Sequence, residues 1–258
     1  MPQTALVTGA TSGIGAAFTH ALARDGYDLV LVARDEGRLR AAAADLSERH
    51  GVATEVLAAD LTDREASRAV EERLADAERP VDLLVNNAGM GLRGTFWETD
   101  LADQERMLAL NCTAVLRLTH AALGAMVPRG RGGVITISSV AGFTPGARGA
   151  YSATKAWATV LTESLSTELV GTGVHASVIA PGFVHTEFHQ RAGLDMSRMP
   201  DRMWLDADDV VATALREHQA GKVVSVPGAR YKAIVVASRL VPRSAARRVT
   251  AIVRRRAM

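Results

Sequence analysis

Thr8-Gly9-Ala10-Thr11-Ser12-Gly13-Ile14-Gly15 follows the apolar run Ala5-Leu6-Val7 and leads into a stretch with helical spacing that stops at Gly26. An apolar run that passes through glycines into a helix is how a dinucleotide-binding unit opens. Glycines at 9, 13 and 15 remove side chains where a pyrophosphate must approach the main chain. The first turn of the helix then offers free N–H groups to the anion. The spacing departs from G-x-G-x-x-G, so the octet alone also fits a glycine-rich loop without a ligand.

Outward from this turn, runs of strand length alternate with helical patterns. The predicted strands are Ala5–Thr8, Leu29–Ala33, Glu55–Ala58, Leu83–Val85, Val134–Ile137, Ala176–Ile179 and Val223–Val226. Most are continuously apolar, as strands covered on both faces must be. Helical patterns run from Ile14 to Gly26 and from near Glu36 to Gly51, each ended by glycine. Strand–helix alternation implies right-handed crossovers. The fold class is therefore α/β, a three-layer, Rossmann-like, doubly wound parallel sheet of about seven strands.

The 258 residues suffice for one such domain, with 48% hydrophobic and 22% charged residues. The single cysteine, Cys112, excludes an internal disulfide and fits a reducing cytoplasm. No basic start precedes an apolar core as in a signal peptide, and no apolar run approaches the roughly 20 residues of a membrane span. Net charge is +2 but unevenly spread: nothing after Glu217 is acidic, and nine Lys/Arg lie from Ala229 onward. Residues 1–228 therefore carry −7, from 21 basic and 28 acidic residues. The expected division is a catalytic and dinucleotide-binding domain over 1–228 and a basic helical extension over 229–258.

The chain resembles the short-chain dehydrogenases/reductases. The resemblance rests on the T-G-x-x-x-G-x-G octet, Asn86-Asn87-Ala88-Gly89, Asn111, Ser138-Ser139, Tyr151-Ser-Ala-Thr-Lys155 and Pro181-Gly182-Phe183-Val184-His185-Thr186, in the family's order. It implies an enzyme transferring hydride between a nicotinamide coenzyme and a carbonyl or secondary alcohol. Gly9, Thr11, Ser12, Gly13, Ile14 and Gly15 would hold the pyrophosphate, Asp60 and Leu61 the adenine, and Asn87, Ala88 and Gly89 would pass under the coenzyme. Pro181, Gly182, Val184 and Thr186 would meet the nicotinamide end, and Tyr151 and Lys155 its ribose. At the tip of the second strand Ala33 takes the acidic position and Arg34 the basic one. An Arg suits a 2′-phosphate, which implies NADP(H) rather than NAD(H). The alternative makes Arg34 a solvated charge and Asp35 the acceptor for an NAD ribose.

Tyr151 and Lys155, four apart, share a helical face, so phenol and ammonium can enter one pocket. A free tyrosine, with pKa ~10, is a poor base, and a nearby ammonium favours its phenolate. Tyr151 can then act as general acid or base. One of Ser138 and Ser139 should steady the substrate oxygen. Ser139-Val-Ala-Gly142 matches the family's run and selects Ser139, whereas the spacing to Tyr151 favours Ser138. Asn111 is a poor helix-interior residue within the helical stretch Asp103–Leu123. The resemblance makes it the residue that bends this helix and holds a water linking the lysine to solvent. His185 and His189 lack partners at ligand spacing, so no metal is expected.

The stretch Phe188–Leu205 fits a substrate lid. Its Leu194, Met196, Met199, Met203, Trp204 and Leu205 suggest either a bulky apolar substrate or packing of the lid onto the body. In the tail, Ile234, Val235, Val236, Leu240 and Val241 form an apolar cluster. Ala245, Val249, Ile252 and Val253 then recur at helical spacing among arginines. Packing of this tail on the acidic body explains the sign asymmetry, and peripheral contact with anionic lipid is the alternative. No aromatic interleaving points to nucleic acid. The resemblance implies a homodimer or homotetramer. A non-catalytic NADP-binding regulator should lack one of Ser, Tyr and Lys, and none is lacking. Epimerase or dehydratase chemistry is the other alternative.

Overall fold

The computed structural model describes residues 2–143, 149–197 and 199–240. The chain opens with β1 (Thr4–Thr8), α1 (Gly13–Arg24), β2 (Asp28–Ala33), α2 (Glu36–His50), β3 (Thr54–Ala58), α3 (Arg64–Ala75) and β4 (Leu83–Asn86). Next, α4 (Leu101–Leu108) runs through a π-helical segment, Ala109–Ala114, into α5 (Val115–Arg129). β5 (Gly132–Ile137), α6 (Gly149–Glu168) and β6 (Val174–Ile179) complete the second half. Then come β7 (Phe183–Val184), α7 (Phe188–Arg191), β8 (Trp204–Leu205), α8 (Ala207–Gln219), β9 (Val224–Ser225) and α9 (Ala229–Leu240).

Seven strands pair in parallel in the order β3-β2-β1-β4-β5-β6-β9. All seven predicted strands are present, with ends within two residues of those expected. Their continuous apolarity is explained by helices on both faces. On β1, Ala5 and Val7 pack with Phe18, Leu22 and Leu39, while Leu6 packs with Leu118 and Met126. Fully burying a leucine or phenylalanine contributes about 1.5–3 kcal/mol, so this alternation holds the layers in register. Winding reverses between β1 and β4. The loops leaving their C-terminal ends diverge there, which opens a crevice.

Asp35 caps α2 by accepting from Arg38 N at 2.9 Å, and Gly51, at φ 70°, ends it. The helix predicted around Asn111 is longer than expected. Leu101–Arg129 contains a stretch with the length and composition to cross a bilayer. This departs from the expectation that no segment reaches that measure. Its Leu118, Ala122 and Met126 nevertheless lie in the core beneath the sheet.

The lid is mostly irregular. β7 and β8 pair as a two-residue ladder, Phe183 with Trp204 and Val184 with Leu205. α9 turns back onto the body, where Tyr231 and Val235 are buried with Ala180 and Val226. Of the predicted apolar cluster, Val235 is inside while Ile234 and Val236 are exposed. Val241 and the rest of the predicted basic helix lie outside the described residues.

Candidate active site

A cavity of about 1040 Å³ lies at the C-terminal ends of the strands, over the reversal between β1 and β4. That is the upper end of the roughly 300–1,000 Å³ of a single small-molecule site. It is lined by every anticipated site residue except Gly15 and Asn111.

Gly9 and Gly13 have φ of 68° and 53°, which disfavour any side chain. A Cβ at Gly13 would meet Thr186 Cγ2 at 2.8 Å, so the loop touches the opposite wall of the cleft. Gly15, expected at the coenzyme, serves the loop instead: a Cβ there would stand 2.1 Å from the Gly9 carbonyl oxygen. The Thr8 hydroxyl donates to Val85 O and accepts from the N–H groups of Asn87 and Ala88. Asn87 Nδ2 donates to the carbonyls of Thr8 and Gly9 at 2.9 and 3.3 Å. The Asn87 side chain thus fixes the glycine turn, while its neighbours Ala88 and Gly89 line the cavity. A narrow, side-chain-free cradle joined to a long cavity fits a dinucleotide.

At the far end, Arg34 is exposed beside the cavity. The Asp35 carboxylate is engaged in capping α2. Asp60 accepts from Thr62 and meets Arg106 at 3.3 Å. Burial opposes ionisation of Asp60, but the bonds from Thr62 and Arg106 hold its carboxyl below the usual value. Sequence reasoning missed Arg38. From α2 it reaches the Thr11 carbonyl at 2.9 Å and Glu187 at 3.3 Å, bridging the glycine loop to the segment before α7. Its position inside an amphipathic helix carried no signal of this contact 149 residues away.

The near end gathers Tyr151, Lys155 and Ser139. Lys155 Nζ donates to Ile137 O at 2.8 Å and stands 5.9 Å from the centre of the Tyr151 ring. Burial pulls its ammonium down to about 8. Cys112 lies close enough to couple to it, and burial pushes that thiol up. The two serines occupy different settings. Ser138 is buried, donates to Lys155 O at 2.7 Å and shares a hydrogen bond with Thr159 Oγ1. Ser139 is half-buried at the start of the turn Val140–Gly142, where its Oγ accepts from Ala141 N at 3.2 Å. Asn111 lies behind the cavity inside the π-helical segment, where an extra residue bulges the helix. Its Oδ1 accepts from Met90 N, and its Nδ2 donates to Met90 O and Thr154 Oγ1. It therefore ties the wall after β4 to α6.

The lid does not meet the cavity through the residues its composition suggested. Met203 and Leu205 pack on Ala180, Val226 and Tyr231, and Trp204 stacks on His185 at 4.5 Å. Leu194, Met196 and Met199 also lie off the cavity wall. The apolar wall comes instead from Met90, Val140, Phe183 and Phe188, with the Phe188 ring 5.9 Å from that of Tyr151.

Residues 3–197 match the family model described as short chain dehydrogenase. Sulfoacetaldehyde reductase 2 from Chromohalobacter salexigens is 40% identical over 192 residues, which is 73% of this chain and 75% of that one. A short-chain dehydrogenase from Sphingobium yanoikuyae in complex with NADPH superposes with TM-score 0.85 at 39% identity, over 93% of this chain and 94% of the other. The bulky-bulky ketone specific alcohol dehydrogenase from Comamonas testosteroni superposes with TM-score 0.80 at 33% identity, over 93% and 92%.

The buried ammonium has a measurable pH signature. Unfolded, Lys155 titrates near its ordinary 10.5; folded, near 8. Between these values the unfolded chain binds the extra proton, so stability rises with pH. The gain is complete above 10.5 and lost as pH falls through 8. Relative to Lys155→Met, wild-type protein should gain on the order of 3 kcal/mol across this window. Denaturant midpoints of the two proteins would measure it, and a pH-independent difference would contradict it.

Proposed function

The chain belongs to the short-chain dehydrogenase family, an NAD(P)-dependent oxidoreductase acting on CH–OH groups, and from that premise we propose that it is an NADP(H)-dependent carbonyl reductase/alcohol dehydrogenase for bulky apolar substrates. The observation that carries the reading is the convergence of Tyr151, Lys155 and Ser139 on one cavity with a glycine cradle at its other end.

When bound, the nicotinamide coenzyme donates hydride to a carbonyl carbon or accepts it from an alcohol. In reduction, Tyr151 Oη gives a proton to the substrate oxygen; in oxidation it takes that proton back. The Lys155 ammonium, beside the Tyr151 ring, favours negative charge on that oxygen. Ser139 donates to the substrate oxygen as charge develops, a role supported by the commitment of the Ser138 hydroxyl to α6. Asn111 completes the proton relay, as the resemblance implies; its bonds to Met90 and Thr154 support a place directly behind Lys155.

NADP(H) over NAD(H) is supported by Arg34 beside the cavity and by the use of Asp35 as a cap. Arg38 is within the same lining and adds a second guanidinium. Bulky apolar substrates are supported by the wall of Met90, Val140, Phe183 and Phe188. A second copy of the chain is proposed to cover the exposed Leu101, Leu108 and Leu116 of α4–α5 and Val160 of α6. Residues 229–258 are proposed as an extension of the catalytic unit, whose described part, α9, packs on it through Tyr231 and Val235.

Tyr151→Phe should abolish turnover of a ketone panel while NADPH fluorescence titration remains near wild type; near-normal turnover would refute the assignment. Ser139→Ala should lower kcat by about 10²–10³ with little change in melting temperature. Ser138→Ala should instead destabilise by about 1–3 kcal/mol, and the reverse pattern would exchange their roles. Arg34→Ser should weaken NADPH binding about 10- to 100-fold and leave NADH nearly unaffected; equal losses would argue against 2′-phosphate recognition. Leu108→Glu should lower the sedimenting mass to that of one chain, and an unchanged mass would discard that interface.

A further inference from the structure

Tyr231 lies on α9, outside the cavity and outside the residues 3–197 that match the family model, yet it is only 3% exposed. A buried phenol needs hydrogen-bond partners. Its Oη accepts from Phe183 N at 3.1 Å and donates to Met203 O at 2.5 Å. These two residues are the departing and returning ends of the segment that carries Thr186, Phe188, His189 and Ala192 to the cavity. The ring lies flat against Gly182: a Cβ there would come within 1.9 Å of Tyr231 Cζ. Only glycine lets the ring sit this close, so the hydroxyl position is set by packing.

Other contacts also fasten the segment: the rings of Phe183, His185 and His189 lie against Trp204, Met203 and Leu205 pack on Ala180 and Val226, and Arg230 donates to Arg202 O. The β7–β8 ladder is two residues long, and His185 N adds one bond to Leu205 O at 3.1 Å. The outer tie, from Arg38 to Glu187, joins two exposed side chains and contributes little to stability. Burial raises the Tyr231 phenol above its ordinary value, so it stays protonated and able to donate throughout the neutral range.

We propose that Tyr231 is a positioning residue for the redox reaction, its hydroxyl pinning together both ends of segment 183–203 so that the segment is held in its binding-competent position. The proposal rests on the reading of the cavity given under Proposed function. Without the pin, the segment spends more time displaced. Apparent affinity then falls by the fraction of molecules still competent, while saturating ligands restore the competent state. Losing the two buried hydrogen bonds of this hydroxyl corresponds to about a tenfold change or more in that equilibrium.

Tyr231→Phe keeps the ring on Gly182 and removes only the hydroxyl. Hydrogen exchange on the ligand-free protein should show the Phe183 amide and amides of 185–197 exchanging about tenfold faster, with β1 and β4 unchanged. NADPH affinity by fluorescence should weaken as the competent fraction falls, by up to about tenfold, and the ketone KM at subsaturating NADPH should rise with it, with kcat within threefold of wild type. Unchanged exchange with unchanged NADPH affinity would overturn the proposal. So would a fall in kcat at constant KM, or a general rise in exchange across the sheet. Should the variant fail to fold, wild-type exchange decides: a Phe183 amide protected like those of β6 supports the pin, and one exchanging as fast as residues 190–196 overturns it. Because exchange is read without ligand, it separates failure of the pin from failure of the catalytic assignment, which Tyr151→Phe tests.

Discussion

One ammonium, buried where the parallel strands end, organises the functional half of this molecule. Lys155 Nζ has lost its water, and burial of a charge is tolerated only when hydrogen bonds replace hydration. The replacement comes from the Ile137 carbonyl, the last of β5. The lysine's own carbonyl is held in turn by Ser138 and Thr159. Gly89 has no side chain to crowd it: a Cβ there would come within 3.4 Å of Nζ and 3.2 Å of Asn111 Oδ1. The end of β5, the start of α6 and the wall after β4 are therefore arranged around a single charge. Tyr151, one turn earlier on α6, inherits its position from that arrangement.

The opposite end of the cavity is built on a different principle. Its apolar floor of Val32, Ala59 and Leu61 is buried, but the charged groups around it are exposed or half-buried. Arg34, Arg38, Asp60 and Arg106 surround the space, and the Arg38–Glu187–Arg191 chain crosses its mouth. Such pairs contribute little to stability and are weakened by salt. They are suited to exchanging partners with an incoming anion. The reacting end thus has fixed geometry, and the recognising end has adjustable geometry.

These differences decide what the sequence made legible. The seven strands could be read because strands covered on both faces must be continuously apolar, as Leu29–Ala33 and Val134–Ile137 are. Gly26 and Gly51 marked helix ends because only a left-handed residue closes them cheaply. Tyr151 and Lys155 were legible because one helical turn is a local spacing. Ser138 and Ser139 were not separable, since adjacent residues at a strand end differ only in which way the chain turns after β5. The π-helical segment at Ala109–Ala114 has no residue pattern of its own; only the awkward Asn111 hinted at it. The lid methionines misled because composition reports that a segment is apolar, not which side it presents. Arg38 and Tyr231 stayed hidden because their partners lie 149 and 48 residues away.

That last class of residue bears on how one fold serves different substrates. The matched stretch ends at residue 197, within the lid. The returning limb of the lid, β8, and the helix α9 whose Tyr231 fastens it both lie beyond it. The reacting groups sit on β5 and α6, where the core holds them and little can change without loss of folding. The lid part of the proposed substrate wall, Phe183 and Phe188, is fastened instead by a two-residue ladder, the rings packed on Trp204 and the Tyr231 hydroxyl. Altering how that wall is fastened changes what fits against Tyr151 without disturbing Lys155. On the proposed assignment, substrate selection is separated physically from proton transfer: the one would reside in a loop pinned by Tyr231, the other in the packed end of the sheet.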